Sequence, residues 1–311
     1  MITYDEKVVV VTGGGAGSIG ERHARTFASR GASVVVNDIS PKAADATVNA
    51  ILANNGRAIA NYDSVLDGGK IVAQALDAYG RIDLMLNNAG NRGIGPEGPT
   101  LVGDVSATWW RETVDVHLTG TFECTKAALK PMVEQGSGSI LVTSSPTGIF
   151  GCTGASAYSA AKMALIGFMQ STAVEYHSLG VRCNALVPVA DGGGTRATLS
   201  AAWNDAASAE YVSEFAAWLA HESCSISGRA FEVGGGYIHP LRVQMGAGIQ
   251  FDEHAYSAET IAEHSGLLND FSDSFYPDIG ELTVILNKIA DRAGEPPMET
   301  VRFSSETGEP V

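Results

Sequence analysis

Lys7–Asp38 reads KVVVVTGGGAGSIGERHARTFASRGASVVVND, and the order of residue types in it decides the fold. Lys7–Thr12 is a continuous β-branched run, the pattern of a strand buried on both faces of a parallel sheet. It enters a glycine-rich turn, Gly13 to Gly20, followed by a helix from about Glu21 to Arg30 that Gly31 closes. A second apolar run, Ser33–Asn37, ends at Asp38. Strand, glycine turn, helix, strand and acid in that order make a dinucleotide-binding βαβ unit. The glycines let the main chain approach a pyrophosphate, and the helix N-terminus offers free N–H groups and the positive end of its dipole. A carboxylate at Asp38 can accept hydrogen bonds from the adenosine ribose hydroxyls and repels a 2′-phosphate, which favours NAD over NADP. Lys42 nearby argues the other way, and capping of the next helix is a rival role for Asp38.

Outward from this unit the pattern repeats. Helices are predicted over Pro41–Asn55, Leu66–Tyr79, Thr108–Val133, Tyr158–His177 and Ala209–His221. Strands are predicted over Arg57–Asn61, Ile82–Leu86, Ser139–Thr143, Val181–Val187 and Arg229–Val233. This alternation predicts an α/β fold with a Rossmann-type doubly wound parallel sheet of seven strands, residues 1–238. Glycines and small residues from Asp191 to Asn204 predict a loop that either closes over substrate or simply connects strand to helix. Beyond Gly236 the strand pattern stops. Ala258–Leu268 and Asp278–Ala290 read as helices of a C-terminal extension, residues 239–311, serving as an active-site cover or a dimer contact. In its second helix Ile279, Leu282, Ile285, Leu286 and Ile289 share one stripe, which must be buried.

Ser144–Lys162, SSPTGIFGCTGASAYSAAK, holds the candidate chemistry. Tyr158 and Lys162 are four residues apart and share one helical face. The serine pair follows a predicted strand, so the fold can bring a strand-end hydroxyl, a phenol and an ammonium together. Two unit charges ~4 Å apart at an effective dielectric of ~20 interact by ~4 kcal/mol. That is roughly three pK units at about 1.4 kcal/mol each, enough to bring a tyrosine near neutrality as a general acid or base. An ordinary amphipathic helix carrying a Tyr and a Lys would have the same spacing.

The 311 residues are 45% apolar and 18% charged, the composition of a globular chain with a substantial core. A formal charge of −15 with no basic cluster excludes a phosphate backbone as the expected partner. No apolar run reaches the length of a membrane span, and neither a signal peptide nor a peroxisomal tripeptide is expected. Cys124, Cys152, Cys183 and Cys224 are widely spaced without a C-x-x-C, which predicts reduced thiols, no metal site and a cytoplasmic location.

With TGGGAGSIG (12–20), NNAG (87–90), SS…YSAAK (144–162) and a strand ending in Pro188 in view, the chain resembles the short-chain dehydrogenase/reductase superfamily over about residues 5–238. Within it, VVVND (34–38), ANYDSV (60–65), ALDAYGRID (75–83), VHLTGTF (116–122), TSSPTGIFG (143–151) and AHESCSISGRAFEVGGGYI (220–238) are similar to the (3R)-hydroxyacyl-CoA dehydrogenase part of type 2 peroxisomal multifunctional enzymes. The C-terminal tail also has a counterpart in that subgroup.

The resemblance implies Tyr158 as the general acid/base, Lys162 on the nicotinamide ribose, and Ser145 on the substrate oxygen. It places Gly13, Gly17, Ser18, Ile19, Asp38, Asp63, Ser64, Val65, Asn88, Ala89, Gly90, Tyr158, Lys162 and Thr195 along an NAD cofactor. His117 stands where relatives often have a relay asparagine, and a core histidine is the rival reading. Ser18 is inserted relative to the common T-G-x-x-x-G-x-G pattern, so a serine hydroxyl can donate to a phosphate in place of a main-chain group. The implied reaction is NAD-dependent oxidation of a 3-hydroxyacyl-CoA by a homodimer or homotetramer. A hydroxysteroid or steroid-ring thioester substrate and a non-catalytic NAD(H)-binding role are the alternatives. Trp203, Phe215 and Trp218 are candidates to line an apolar acyl or ring pocket, with an ordinary place in the core as the rival reading.

Overall fold

Four consecutive valines, Val8–Val11, are at most 3% exposed, so β1 (Val8–Thr12) is covered on both faces as a central parallel strand must be. The structure, a computed structural model, describes residues 1–91, 93–96, 98–190, 200–251, 256–277, 284–294 and 296. Around β1 lie β2 (Ser33–Asn37), β3 (Arg57–Asn61), β4 (Leu84–Asn87), β5 (Gly138–Thr143), β6 (Val181–Pro188), β7 (Ala230–Gly234) and β8 (Tyr237–Leu241). Their order is β3-β2-β1-β4-β5-β6-β7-β8, and the pairs from β3 through β7 are parallel. The chain reverses its direction of travel across the sheet between β1 and β4, the switch point at which such sheets bind ligands.

The helices are α1 (Ile19–Ser29), α2 (Pro41–Leu52), α3 (Gly68–Tyr79), α4 (Ala107–Val114), α5 (Gly120–Glu134), α6 (Pro146–Phe150), α7 (Ser156–Tyr176), α8 (Ala201–Ala206), α9 (Ala209–Ala220), α10 (Ala258–Glu263) and α11 (Val284–Ala293). The predicted single helix across 108–133 is α4 and α5 joined by a π-helical segment, Asp115–Thr119. No proline or glycine marks that segment, so the sequence pattern does not announce it.

The sheet has eight strands instead of the predicted seven. Gly235 and Gly236, both at positive φ, turn β7 into β8 through a connection of two residues, which is the length of a hairpin and too short for a parallel crossover. β8 was not legible because its side chains are mostly exposed, so it lacks the apolar run of the interior strands. In the expected loop 191–204, residues 201–204 open α8, and 191–199, Thr195 included, lie outside the described residues.

The chain divides into two compact units, Met1–Pro240 and Leu241–Val311. In the second, Met245 and Phe275 form a β-bridge and Lys288 Nζ donates to the Ala247 carbonyl at 3.1 Å. The expected apolar stripe fares differently along its length. Ile289 on α11 is 58% exposed, while Ile279 and Leu282 fall outside the described residues. The side chains of Ile285 and Leu286 fall outside them too.

One core position runs against composition. His23 on α1 is fully buried and neither ring nitrogen has a hydrogen-bond partner among the described residues, so burial pushes its pKa down to about 3. The unfolded chain therefore takes up a proton below its ordinary value while the folded chain does not. Stability from this group is complete above about pH 6.5 and is lost as pH falls toward 3, by up to about 1.4 kcal/mol per pH unit. His23→Leu is expected to raise stability by about 1–3 kcal/mol near neutrality and to flatten the decline under acid, as read by urea unfolding over a pH series.

Candidate active site

The C-terminal ends of β1 through β5 gather nearly every residue singled out in the sequence. After β1, Gly13 and Gly17 take positive φ values of 60° and 84°. A methyl group at Gly20 would lie 2.1 Å from the Gly13 carbonyl oxygen, so the start of α1 can sit against the turn only without a side chain there. Ser18 is the N-cap of α1, and its hydroxyl accepts from the Glu21 N–H at 3.0 Å. Its proton faces the carbonyls of Gly15 at 2.7 Å and Gly13 at 3.0 Å. A hydroxyl has one proton, and here it is directed within the turn toward these carbonyls. The Glu21 carboxylate also accepts the Gly17 N–H at 2.7 Å.

Asp38, just past β2, accepts from the Gly15 N–H at 3.0 Å and from the Ser40 N–H at 2.9 Å. It ties the glycine turn to β2, and the cap position of α2 belongs to Ser40. Past β3, Asn61 donates to Asp63 Oδ2 at 2.8 Å and Asn37 donates to the Asp63 carbonyl at 2.7 Å. Ser64 caps the short turn that starts at Val65. Past β4, Asn88 Nδ2 donates to the carbonyls of Thr12 and Gly13, each at 3.1 Å, while the Asn88 and Ala89 N–H groups donate to Thr12 Oγ1 at 3.0 and 3.1 Å. Thr12 was missed as a support residue because a threonine at a strand end carries no distinguishing spacing.

The second half of the site is built by β5, α6 and α7. Ser145 is buried and caps α6, accepting from the Thr147 N–H at 3.2 Å. Lys162 is 3% exposed, and its ammonium donates to the Thr143 carbonyl at 2.5 Å. Ser144 donates to the Lys162 carbonyl at 2.7 Å, so the two serines of the pair divide between the site and its support. Lys162 Nζ lies 5.6 Å from the Tyr158 ring centroid. His117, 2% exposed on the π segment, meets the Tyr158 ring edge to face with centroids 5.0 Å apart and an interplanar angle of 86°.

The electrostatics correct the expected acidified phenol. Burial raises the Tyr158 pKa, and a hydrogen bond with the Ser145 side chain pulls it partly back. Burial pushes Lys162 down to about 7, and the Tyr158 phenol is shifted upward by burial and not acidified by its neighbour. His117 falls to about 2, through burial first and the Lys162 charge second, against a main-chain contact with Asn91 that raises it. It is a neutral imidazole throughout the working range.

A strand-end serine, an i, i+4 tyrosine and lysine, and a glycine turn at the switch point can bind a dinucleotide and move a proton beside it. Residues 7–205 match the family model for short chain dehydrogenases. The chain belongs to the short-chain dehydrogenase family. It is 36% identical to mouse peroxisomal multifunctional enzyme type 2 over 96% of its own length and 42% of that protein. Full-length peroxisomal multifunctional enzyme type 2 from Drosophila melanogaster superposes with a TM-score of 0.79 at 33% identity, covering 93% of this short-chain dehydrogenase and 50% of that chain. A 7α-hydroxysteroid dehydrogenase solved with NADH and 7-oxo glycochenodeoxycholic acid superposes at 0.68, with 25% identity over 76% of this chain and 95% of the other. This family member thus spans about half the length of the multifunctional enzymes it matches.

Among the described residues no cluster of His, Cys, Asp and Glu side chains is arranged to hold a metal ion. No described helix is long and apolar enough to cross a membrane. Asn91 is the site neighbour that sequence reasoning missed, directly after the NNAG motif and bonded to His117. Gly90 makes room for that imidazole, since a methyl group there would lie 2.3 Å from Cε1 of His117. Gly90→Ala is expected to cost about 1–3 kcal/mol by overpacking. Gly69→Ala on α3, where an added methyl meets nothing within 4 Å, should leave stability unchanged or raise it by about 0.5–1 kcal/mol; chemical denaturation of both variants makes the comparison.

Proposed function

We propose that this chain is an NAD-dependent dehydrogenase that oxidises a (3R)-3-hydroxyacyl-CoA to the 3-oxoacyl-CoA. The observation that carries the reading is the convergence of Ser145, Tyr158, Lys162 and His117 at the switch-point end of the sheet, next to the glycine turn. The similarity to multifunctional enzymes of type 2 supports the thioester substrate.

The residues fit a dinucleotide. A methyl group at Gly17 would meet nothing within 4 Å, which leaves the outer side of the turn open to a phosphate, and the α1 N-terminus lies beside it. Gly13 and Gly17 would let the main chain come close to the pyrophosphate, and Ser18 and Ile19 would face it from the start of α1. Asp38 would accept from the adenosine ribose, Asp63, Ser64 and Val65 would border the adenine, and Asn88, Ala89 and Gly90 would continue toward the nicotinamide. Tyr158 and Lys162 would hold the nicotinamide ribose, with Thr195 on the carboxamide. NAD, when bound, supplies the hydride acceptor.

The chain's own task is the proton. Ser145 would hold the substrate oxygen and Tyr158 would take its proton as the carbinol carbon loses hydride. A phenol whose pKa is raised by burial keeps its proton at neutrality. Oxidation, which needs the phenolate, is therefore expected to accelerate as pH rises into the alkaline range. The reverse reduction needs the phenol, so it should stay level and then decline over the same range. Initial rates followed by NADH absorbance in both directions test this.

Tyr158→Phe is expected to lower turnover by about 10²–10⁴-fold while NADH binding, read by fluorescence, persists. Unchanged turnover would overturn the assigned mechanism. Rates on CoA thioesters of increasing bulk, set against free steroids, test the substrate class. The steroid reading draws on the hydroxysteroid dehydrogenase neighbour, although Phe215 is buried in the core and Trp203 and Trp218 are about 40% exposed. A binding-only protein would retain NADH and turn over neither.

A cytoplasmic location follows from the wide sequence spacing of the four cysteines, three of which are buried. The names of the relatives instead carry the word peroxisomal. Imaging of a tagged chain separates these. A homodimer or homotetramer, with the extension 239–311 as active-site cover or dimer contact, completes the proposal. Exposed Phe122 and Met163 on α5 and α7 give such a contact apolar surface.

A further inference from the structure

We propose that Asn91 is a positioning residue that fixes His117 as the tautomer protonated on Nε2, leaving Nδ1 as a buried acceptor in the field of Lys162. The inference deepens the dehydrogenase reading and rests on it for its catalytic consequence. It starts from a short stretch that wraps both rings of the site. Gly90 makes room for the imidazole, Asn91 grips it, and at Gly93 an added methyl would lie 3.0 Å from Cγ of Tyr158. The main chain from 90 to 93 thus lies against His117 and then against the phenol.

Asn91 Oδ1 is 3.0 Å from His117 Nε2, and the Asn91 main-chain nitrogen is 3.3 Å from the same atom. The two contacts ask opposite things of Nε2. An amide oxygen can be met only by a proton there, whereas an N–H can be met only by a lone pair. The side-chain contact is the shorter, and it assigns the proton to Nε2. A neutral imidazole carries one N–H, so Nδ1 then holds the lone pair.

That nitrogen is fully buried and has no hydrogen-bond partner among the described residues. A buried acceptor without a donor is costly and needs a physical reason. The groups around the Tyr158 ring supply one. The Lys162 ammonium and the Tyr158 hydroxyl are both proton donors, so an acceptor completes the set, directly or through a water, and a second donor would oppose it. A neutral His117 offers its Nδ1 lone pair to such a donor without taking the proton, in reach of the Lys162 charge.

Asn91→Leu removes the amide oxygen at nearly the same shape. The main-chain N–H at 91 then becomes the sole partner of Nε2, and the ring is expected to flip to the Nδ1–H form. Asn91→Asp keeps an acceptor in place and should keep the original tautomer. Two-bond ¹H–¹⁵N correlation spectra of the full chain labelled at histidine, with His117 assigned by its absence in His117→Gln, read the tautomer directly. Circular dichroism and melting confirm that each variant is folded.

The expected result is Nε2–H in the parent and Asn91→Asp, and Nδ1–H in Asn91→Leu. kcat in Asn91→Leu should fall roughly ten-fold or more with the KM for NAD little changed, and in Asn91→Asp it should stay within about three-fold of the parent. A parent ring protonated on Nδ1, or an Asn91→Leu ring that stays protonated on Nε2, overturns the assignment. A flipped ring with unchanged kcat overturns the catalytic consequence. If the parent turns over no alcohol at all, the dehydrogenase reading fails, while the tautomer readout still decides the role of Asn91.

Discussion

Two hydrogen bonds fasten α7 to the end of β5, and the site depends on them. The Lys162 ammonium donates to the Thr143 carbonyl, and the Ser144 hydroxyl donates to the Lys162 carbonyl. A lysine almost wholly out of water is costly unless its donors are met, and here a strand-end carbonyl meets one of them. The same pair of bonds sets the distance from Tyr158, one turn back on α7, to Ser145, one residue beyond Ser144. Proton chemistry at the phenol is therefore built on the join between a strand and a helix, both rigid elements, and not on a loop.

The other half of the site follows from parallel topology. Because β1 through β7 all run the same way, their C-terminal ends lie along one edge, and the side chains of five strand ends converge without any long-range design beyond the strand order. Thr12 and Asn88 then lock β1 to β4 at the switch point, and Asp38 locks the glycine turn to β2. These bonds use side chains whose partners are main-chain groups, so the shape of the cleft is a property of the sheet edge.

This explains what the sequence could and could not tell. The interior strands were legible because burial on both faces demands unbroken apolar runs, as at Val8–Val11, and β2 and β3 were predicted to the residue. β8 was not, since an exposed strand after a glycine pair need not be apolar. That Tyr158, Lys162 and a strand-end serine lie together was legible by spacing, but their electrostatics were not. Charge spacing suggested an acidified phenol, whereas the depth of burial, a three-dimensional quantity, raises Tyr158 and lowers Lys162. Ser18 was visible as an insertion, yet the direction of its single proton depends on which carbonyls the turn folds toward it. Asn91 left no signal, because its role depends on a ring 26 residues away.

The π-helical segment Asp115–Thr119 has a consequence for how this architecture can vary. A π turn holds an additional residue relative to an α turn, and each residue of an α-helix advances by about 100°. The swelling around His117 therefore resets the angular phase between α4 and α5, so that the imidazole faces inward toward Tyr158 while Phe122, a few residues on, faces out against Phe168. The inner and outer faces of one continuous rod are decoupled at that point. Substitutions that retune the outer face can accumulate without rotating the ring that borders the phenol, whereas loss of one residue from the segment would turn one face out of register with the other.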